Sequence, residues 1–190
     1  MGGQRFAPEP EPAKSEPVVE EHLADTATVL VAVRELARVE TTAYHMERVI
    51  DLKQRQPALF GLLGADDWIL LIAVGDVIAG VDLAKMRDGD VTVDAAQKRV
   101  RLRLPPPELL SVNLDNKKTY VHTRKTDLMA DRNDEIETRA RRLAEESIRS
   151  GALASGILER AQEGARRTLE ALLRSLDFEQ IEIEQTGPER

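Results

Sequence analysis

At 190 residues the chain is long enough for one domain with a core of its own. Hydrophobic residues make up 42% of it, but there are only three Phe, two Tyr and one Trp, so that core must be aliphatic. A formal charge of -7 argues against a dedicated nucleic-acid binder, and the absence of cysteine excludes disulfides, thiolate metal sites and cysteine nucleophiles.

The opening M-G-G-Q-R-F lacks the basic-then-apolar layout of a signal peptide. It also has Phe6 where myristoylation needs Ser or Thr. No run approaches the roughly 18 apolar residues of a membrane-spanning helix, so the chain as given reads as soluble. Residues 1–24 carry Pro8, Pro10, Pro12 and Pro17 among Glu9, Glu11, Glu16, Glu20 and Glu21. With so little apolar surface to bury, they predict a disordered acidic segment.

From Thr26 to about Val39 the spacing supports a helix, with Val29, Val33, Leu36 and Ala37 on one face. The β-branched residues there leave a strand open as the alternative. The next stretch, T-T-A-Y-H-M-E-R-V-I, puts Thr42, Tyr44 and Met46 on one side of a strand and His45 on the other. Residues 53–67 hold Pro57, Gly61 and Gly64 and read as a loop. Leu59, Phe60, Leu62 and Leu63 make it an apolar one. Such a loop is either folded back on the core or presented to a partner or a bilayer surface.

Trp68–Val74 is the most apolar run of the chain and reads as a strand buried on both faces. Beyond it, Asp76, Ile78, Gly80 and Asp82 share one strand face, and Val77, Ala79, Val81 and Leu83 the other. Asp76 and Asp82 invite a general acid/base proposal. Yet six residues at about 3.3 Å each set them about 20 Å apart, against roughly 5–9.5 Å for a glycosidase pair. Asp82 is better read as a cap ahead of L-A-K-M.

Val91–Leu104 reads as a hairpin turning at Asp94–Gln97. Val100, Leu102 and Leu104 point to the core, Arg99, Arg101 and Arg103 point away, and Pro105–Pro107 end the strand. Leu109, Leu110, Val112 and Leu114 resume apolar packing. Lys118, Tyr120, His122 and Arg124 line one face of a further strand, with Val121 on the other. Residues 97–125 hold eight basic residues against Glu108 and Asp115, a net of +6. That row suits phosphates, anionic headgroups or the chain's own acidic tail, or it is a solvated face that protects a sheet edge.

From Asn133, a candidate cap, the pattern turns helical through Ile136, Ala140, Leu143 and Ser147. After Ser150-Gly151 a second stripe runs through Leu153, Ile157, Ala161, Ala165, Leu169, Leu172 and Leu176. Its step of about 3.8 residues is too wide for the 3.5 of a leucine zipper. Ile181 and Ile183 then face inward on a last strand, and residues 186–190 fray.

The loop around Pro57, the strand G-D-V-I-A-G-V-D-L (Gly75–Leu83), the strand ending L-P-P-P-E (Leu104–Glu108) and the late helices before L-D-F-E-Q-I-E-I resemble one family. It is the bacterial domain of unknown function 4230, and the likeness covers roughly residues 26–185. The resemblance implies a membrane-anchored protein with one hydrophobic helix ahead of this domain. The acidic, Pro-rich segment stands at that place here, which implies a soluble variant or an anchor further upstream. The resemblance implies no reaction and no catalytic residues. Strands followed by Ala/Glu/Arg-rich helices are also similar to the stomatin–prohibitin–flotillin domains, which assemble at membranes.

The expectation is therefore one α+β domain over residues 25–185. It has a mainly antiparallel sheet, a short N-terminal helix and two long C-terminal helices. A non-enzymatic binding or assembly module, membrane-associated in its full context, fits this best. Its contact candidates are Phe60, Leu62 and Leu63, and the row Arg99, Arg101 and Arg103. The partner would be a protein or a membrane surface, with a homo-oligomer as a further option; no cofactor, metal or nucleic acid is expected. The alternative is a hydrolase-type enzyme using Asp76, Asp82 and His122, which requires those side chains to converge.

Overall fold

The structure is a computed structural model that describes residues 24–58, 63–126 and 135–185. The acidic segment, Phe60, Leu62 and the candidate cap Asn133 lie outside the described residues. The chain is organised around one hairpin. Strands β1 (Arg38–Ala58) and β2 (Leu63–Asp82) pair antiparallel from Arg38↔Asp82 to Ala58↔Leu63. Most of the loop expected over residues 53–67 is therefore strand. The exposed Lys53 and Arg55 alternate with half-buried Gln54, a two-residue period that the flanking Pro and Gly obscured. Pro57 falls on β1, the outer strand of its sheet among the described residues, the kind of strand to which proline is confined.

On its other side β2 meets β6 (Tyr120–Thr126) along Asp67–Ile72 and β5 (Glu108–Leu114) along Gly75–Gly80, both antiparallel. β5 and β6 thus form one strand line, interrupted by a turn at Asp115–Thr119. At the interruption the amide of Asp115 donates to the carbonyl of Val74 at 2.8 Å. The buried Thr119 hydroxyl accepts from the Val74 amide at 3.1 Å and lies 3.2 Å from its carbonyl as donor.

Burial along β2 alternates. Ile69, Leu71, Ala73, Val77, Ala79 and Val81 are fully buried, while Trp68, Leu70, Ile72 and Ile78 are half-buried. Among the described residues the run is thus covered on one face only, correcting the expectation of two buried faces; a short apolar run does not by itself say how many layers flank it. The covering layer is α2 (Glu135–Ala154) and α3 (Ile157–Ser175). Ile136, Ala140 and Ala144 pack on Ile69, Leu71 and Ala73; Ile148, Ala152, Ile157 and Ala161 pack on Val77 and Ala79.

These helices differ from their expected stripes. Leu143 and Leu153 are 43% and 42% exposed, and Ala144 and Ala152 take the inward places. Small side chains let the helix lie close on the pleated sheet, where leucine would hold it away. The break falls at Ser155–Gly156, where Gly156 takes a left-handed φ of 73°, and Gly151 stays helical. In α3, Leu173 is buried and Leu172 only half so.

A second, smaller sheet is built from β3 (Val91–Asp94), β4 (Arg99–Leu104) and β7 (Gln180–Gln185). The β3–β4 hairpin turns where the sequence places it, and β7 joins β4 in parallel. Val100, Leu102 and Leu104 close a core with Leu169, Leu173, Phe178 and helix α1 (Thr26–Glu35). Asp25 caps α1, its carboxylate accepting from the Thr28 amide at 2.7 Å. The helix ends earlier than expected. Ala37 adopts φ 52°, Leu36 is 41% exposed, and Val39 already belongs to β1. The class is α+β with mainly antiparallel pairing, as the sequence indicates.

Candidate binding surfaces

The basic row stands where it was expected, on the exposed face of β4. Its surroundings were not legible. Because β7 lies alongside, Arg101 pairs with Glu182 at 2.7 Å and Arg99 donates to the Gln180 side chain at 2.8 Å. Arg103 lies 3.8 Å from Asp90, and Lys98 lies 3.5 Å from Glu179. The hydrogen bond that the Arg101 guanidinium donates to Glu182 holds it above its ordinary pKa. Of the basic residues between 97 and 125, Arg101 and Lys98 are thus each met by an acidic residue 81 positions later.

The β6 face is corrected. A bulge at His122, between the pairs Leu70↔Thr123 and Leu71↔Val121, reverses the alternation. Tyr120 therefore points outward at 52% exposure, while Arg124 turns to the helix side. There its guanidinium meets the fully buried Asp67 at 2.8 Å, and the Thr126 hydroxyl donates to the same carboxylate at 2.9 Å. Arg124 is thus part of the structural interior and not of a basic face. A charge buried with its partner in this way has to be kept paired.

The three residues of the hydrolase alternative are not brought together. Asp76 lies opposite His45 on β1, with 2.7 Å between carboxylate and ring nitrogen. Asp82 is at the far end of β2, where it accepts from the Ala84 amide at 3.2 Å and lies 3.7 Å from Arg38, the capping role its sequence suggests. His122 sits at the level of Leu70 and Leu71. At about 3.3 Å per residue the two aspartates are about 20 Å apart and His122 is farther still from Asp82. Among the described residues no three His, Asp or Glu side chains gather as metal ligands would.

The remaining large feature is one that the sequence analysis missed. The face of the β1–β2–β5/β6 sheet opposite the helices has no layer over it among the described residues. Its middle is apolar: Trp68, Leu70 and Ile72 on β2, flanked by Val49, 65% exposed, and Tyr120. Trp68 donates to the Asp51 carboxylate at 2.5 Å and carries the Lys125 ammonium 5.6 Å above its ring. Tyr120 meets His122 edge to face at 6.4 Å. The signal was present in the sequence as the even-numbered apolar residues from Trp68 to Ile72, which the reading of two buried faces assigned to the core.

These features define a class: an α+β domain with a long hairpin and, among the described residues, two helices on one side of its main sheet and no layer on the other. The chain belongs to the family described as Protein of unknown function (DUF4230), whose profile matches residues 32–183, from within α1 to within β7. Neither the curated proteins nor the solved structures yield a match to it.

Proposed function

We propose that this domain is a non-enzymatic binding or assembly module that works at a membrane surface, with the open sheet face and the hairpin end as its contact regions. The observation that carries the reading is the uncovered apolar middle of that face. Soluble domains seldom leave a contiguous patch of Trp, Leu, Ile, Val and Tyr without a use. The dispersal of Asp76, Asp82 and His122 supports the same reading, since acid/base chemistry needs its groups within hydrogen-bond reach of one substrate.

The hairpin adds a second support. Its strands keep register to Ala58↔Leu63, and the sequence between them, L-F-G-L, is apolar and lies outside the described residues. No helix among the described residues is long and apolar enough to cross a membrane, so the reading assigns the contact to the sheet and hairpin. Co-sedimentation with vesicles of phosphatidylglycerol and phosphatidylcholine tests it. The parent protein should pellet, and Phe60→Asp should pellet less. A parent that stays in solution with these vesicles removes the membrane from the proposal. If the Arg99→Ala, Arg101→Ala, Arg103→Ala variant pellets as the parent does, the basic row is no contact site.

A further inference from the structure

We infer that the cleft between the far end of β1 and the start of α2 binds a phosphate ester, held by the guanidinium groups of Arg139 and Arg142. This goes beyond the contact regions proposed above, because the cleft lies on the helix side of the hairpin, away from the open face.

The cleft has a volume of about 490 Å³, within the range of roughly 300–1,000 Å³ that small-molecule sites occupy. Gln54 of β1 lines one side, and Glu135, Thr138, Arg139 and Arg142 of α2 line the other. The helix residues follow one another at steps of three, four and seven from Glu135, so they share one stripe of α2. Arg141, between them in sequence, leaves on a different flank. Its guanidinium reaches Glu137 at 2.9 Å and Asn116, on the turn between β5 and β6, at 3.4 Å.

On these two helices arginines commonly pair with a carboxylate one turn away. Arg141 pairs with Glu137, Arg166 with Glu163 and Arg174 with Glu170, at 2.9, 2.8 and 2.8 Å. Arg139 has Glu135 four residues before it, and Arg142 has Glu146 four residues after it, spacings that suit the same contact. Yet among the described residues neither guanidinium has an ion-pair or hydrogen-bond partner. Both side chains are exposed, and both border the cleft. Two arginines against Glu135, which has a partner of its own, leave the lining with an excess of one positive charge.

The donor set selects the ligand. One guanidinium fork is enough for a carboxylate, whereas two forks from neighbouring turns match the several acceptor oxygens of a phosphate. The Thr138 hydroxyl and the Gln54 amide supply further donors, and each also accepts from a hydroxyl of the esterified alcohol. Such a phosphate belongs either to the headgroup of an anionic phospholipid or to a soluble ester. The first source rests on the membrane reading. Gln54 stands four residues before Ala58, the end of β1, about 13 Å along the strand, so a bilayer at the hairpin end brings its headgroups toward the cleft.

Titration of the isotope-labelled full chain with glycerol phosphate at fixed ionic strength, followed by NMR, tests the site. The shifts should saturate and centre on Gln54, Thr138, Arg139 and Arg142. Arg139→Ala with Arg142→Ala should weaken binding about tenfold, as the loss of charge-assisted contacts requires. Arg149→Ala with Arg167→Ala removes the same charge from exposed positions outside the cleft and should bind as the parent does. Circular dichroism checks that both variants fold. Co-sedimentation with vesicles of phosphatidylglycerol and phosphatidylcholine is the second arm. Weaker pelleting of the cleft variant, with the control variant pelleting as the parent does, assigns the phosphate to a lipid headgroup. Saturable shifts in the first arm with unchanged pelleting in the second assign it to a soluble ester. Cleft and control variants that behave alike in both arms overturn the inference, as does a parent that binds in neither. A parent that stays off the vesicles yet shows the saturable shifts removes the membrane reading and leaves the phosphate site standing.

Discussion

The hydroxyl of Thr119 stands in for a missing stretch of strand beside Val74. It accepts from the Val74 amide and is placed to donate to its carbonyl, in the two-residue gap of β2, Ala73–Val74, that neither β5 nor β6 reaches. Thr119 and Val74 are each 4% exposed, so the Val74 amide has no water to turn to if the hydroxyl is lost, whereas its carbonyl keeps the Asp115 amide. Thr119→Val, which keeps the shape and deletes the hydroxyl, should lower unfolding free energy by about 1–3 kcal/mol, and Thr119→Ser should recover most of it. Urea titration followed by circular dichroism gives both numbers.

Gly80 marks where β2 passes a bulge in β1. The register slips between Glu40 and Thr42, and the extra residue, Thr41, sends its hydroxyl to the Ala161 carbonyl on α3 at 2.7 Å. A Cβ on Gly80 would collide with the backbone carbonyl of Val39 and lie 2.8 Å from Leu110 Cδ1. Backbone cannot step aside as a side chain can, so Gly80→Ala should cost about 2–3 kcal/mol. Gly89→Ala, at a position with nothing within 4 Å, should leave the urea midpoint nearly unchanged.

Several surface carboxyls are held below their ordinary pKa. A hydrogen bond from Lys53 does this to Asp66, the Lys117 amide to Asp115, Arg166 to Glu163 and Arg174 to Glu170. A depressed folded pKa means that the folded state binds fewer protons than the unfolded chain. The stability these groups supply is complete above their unfolded values of about 4 and is lost as pH falls through the folded ones. Thermal midpoints should therefore be flat from about pH 8 to pH 5 and fall below about pH 4, with a shallower fall in about 1 M salt.

Arg101 and its neighbours are balanced by β7, and that balance can be undone. Glu182→Gln with Glu184→Gln removes two negative charges beside the row while keeping side-chain size. The variant should elute from heparin at clearly higher salt than the parent, whose row is largely spoken for. Equal elution would mean that the guanidinium groups already reach solution ligands despite Glu182.

Much of the fold was legible because its signals are local. Val100, Leu102 and Leu104 alternate with arginines and end at three prolines, and that hairpin came out as read. What was not legible depends on partners distant in sequence. Nothing in Q-I-E-I-E says that it lies parallel to β4, so the basic row looked unpaired. The bulge at His122 moves Arg124 to the opposite face from Tyr120 without any residue type announcing it. In α2 the alanines, and not Leu143 or Leu153, face the sheet, because the closeness of the layers decides which side chains fit. The open face was hidden for the same reason: the number of layers over β2 is a tertiary fact.

The most direct measurement of the claim that the open face is the working surface uses the absence of cysteine. Val49→Cys places a single thiol in the middle of that face, and Leu143→Cys places one on the outer side of the helix layer, both at exposed positions. The rate of modification by a maleimide is followed as protein concentration rises and as anionic vesicles are added. The account predicts that the thiol at position 49 is slowed several-fold under at least one of these conditions while that at 143 keeps its rate. Unchanged rates at 49 under both conditions, or protection at 143 alone, would contradict it.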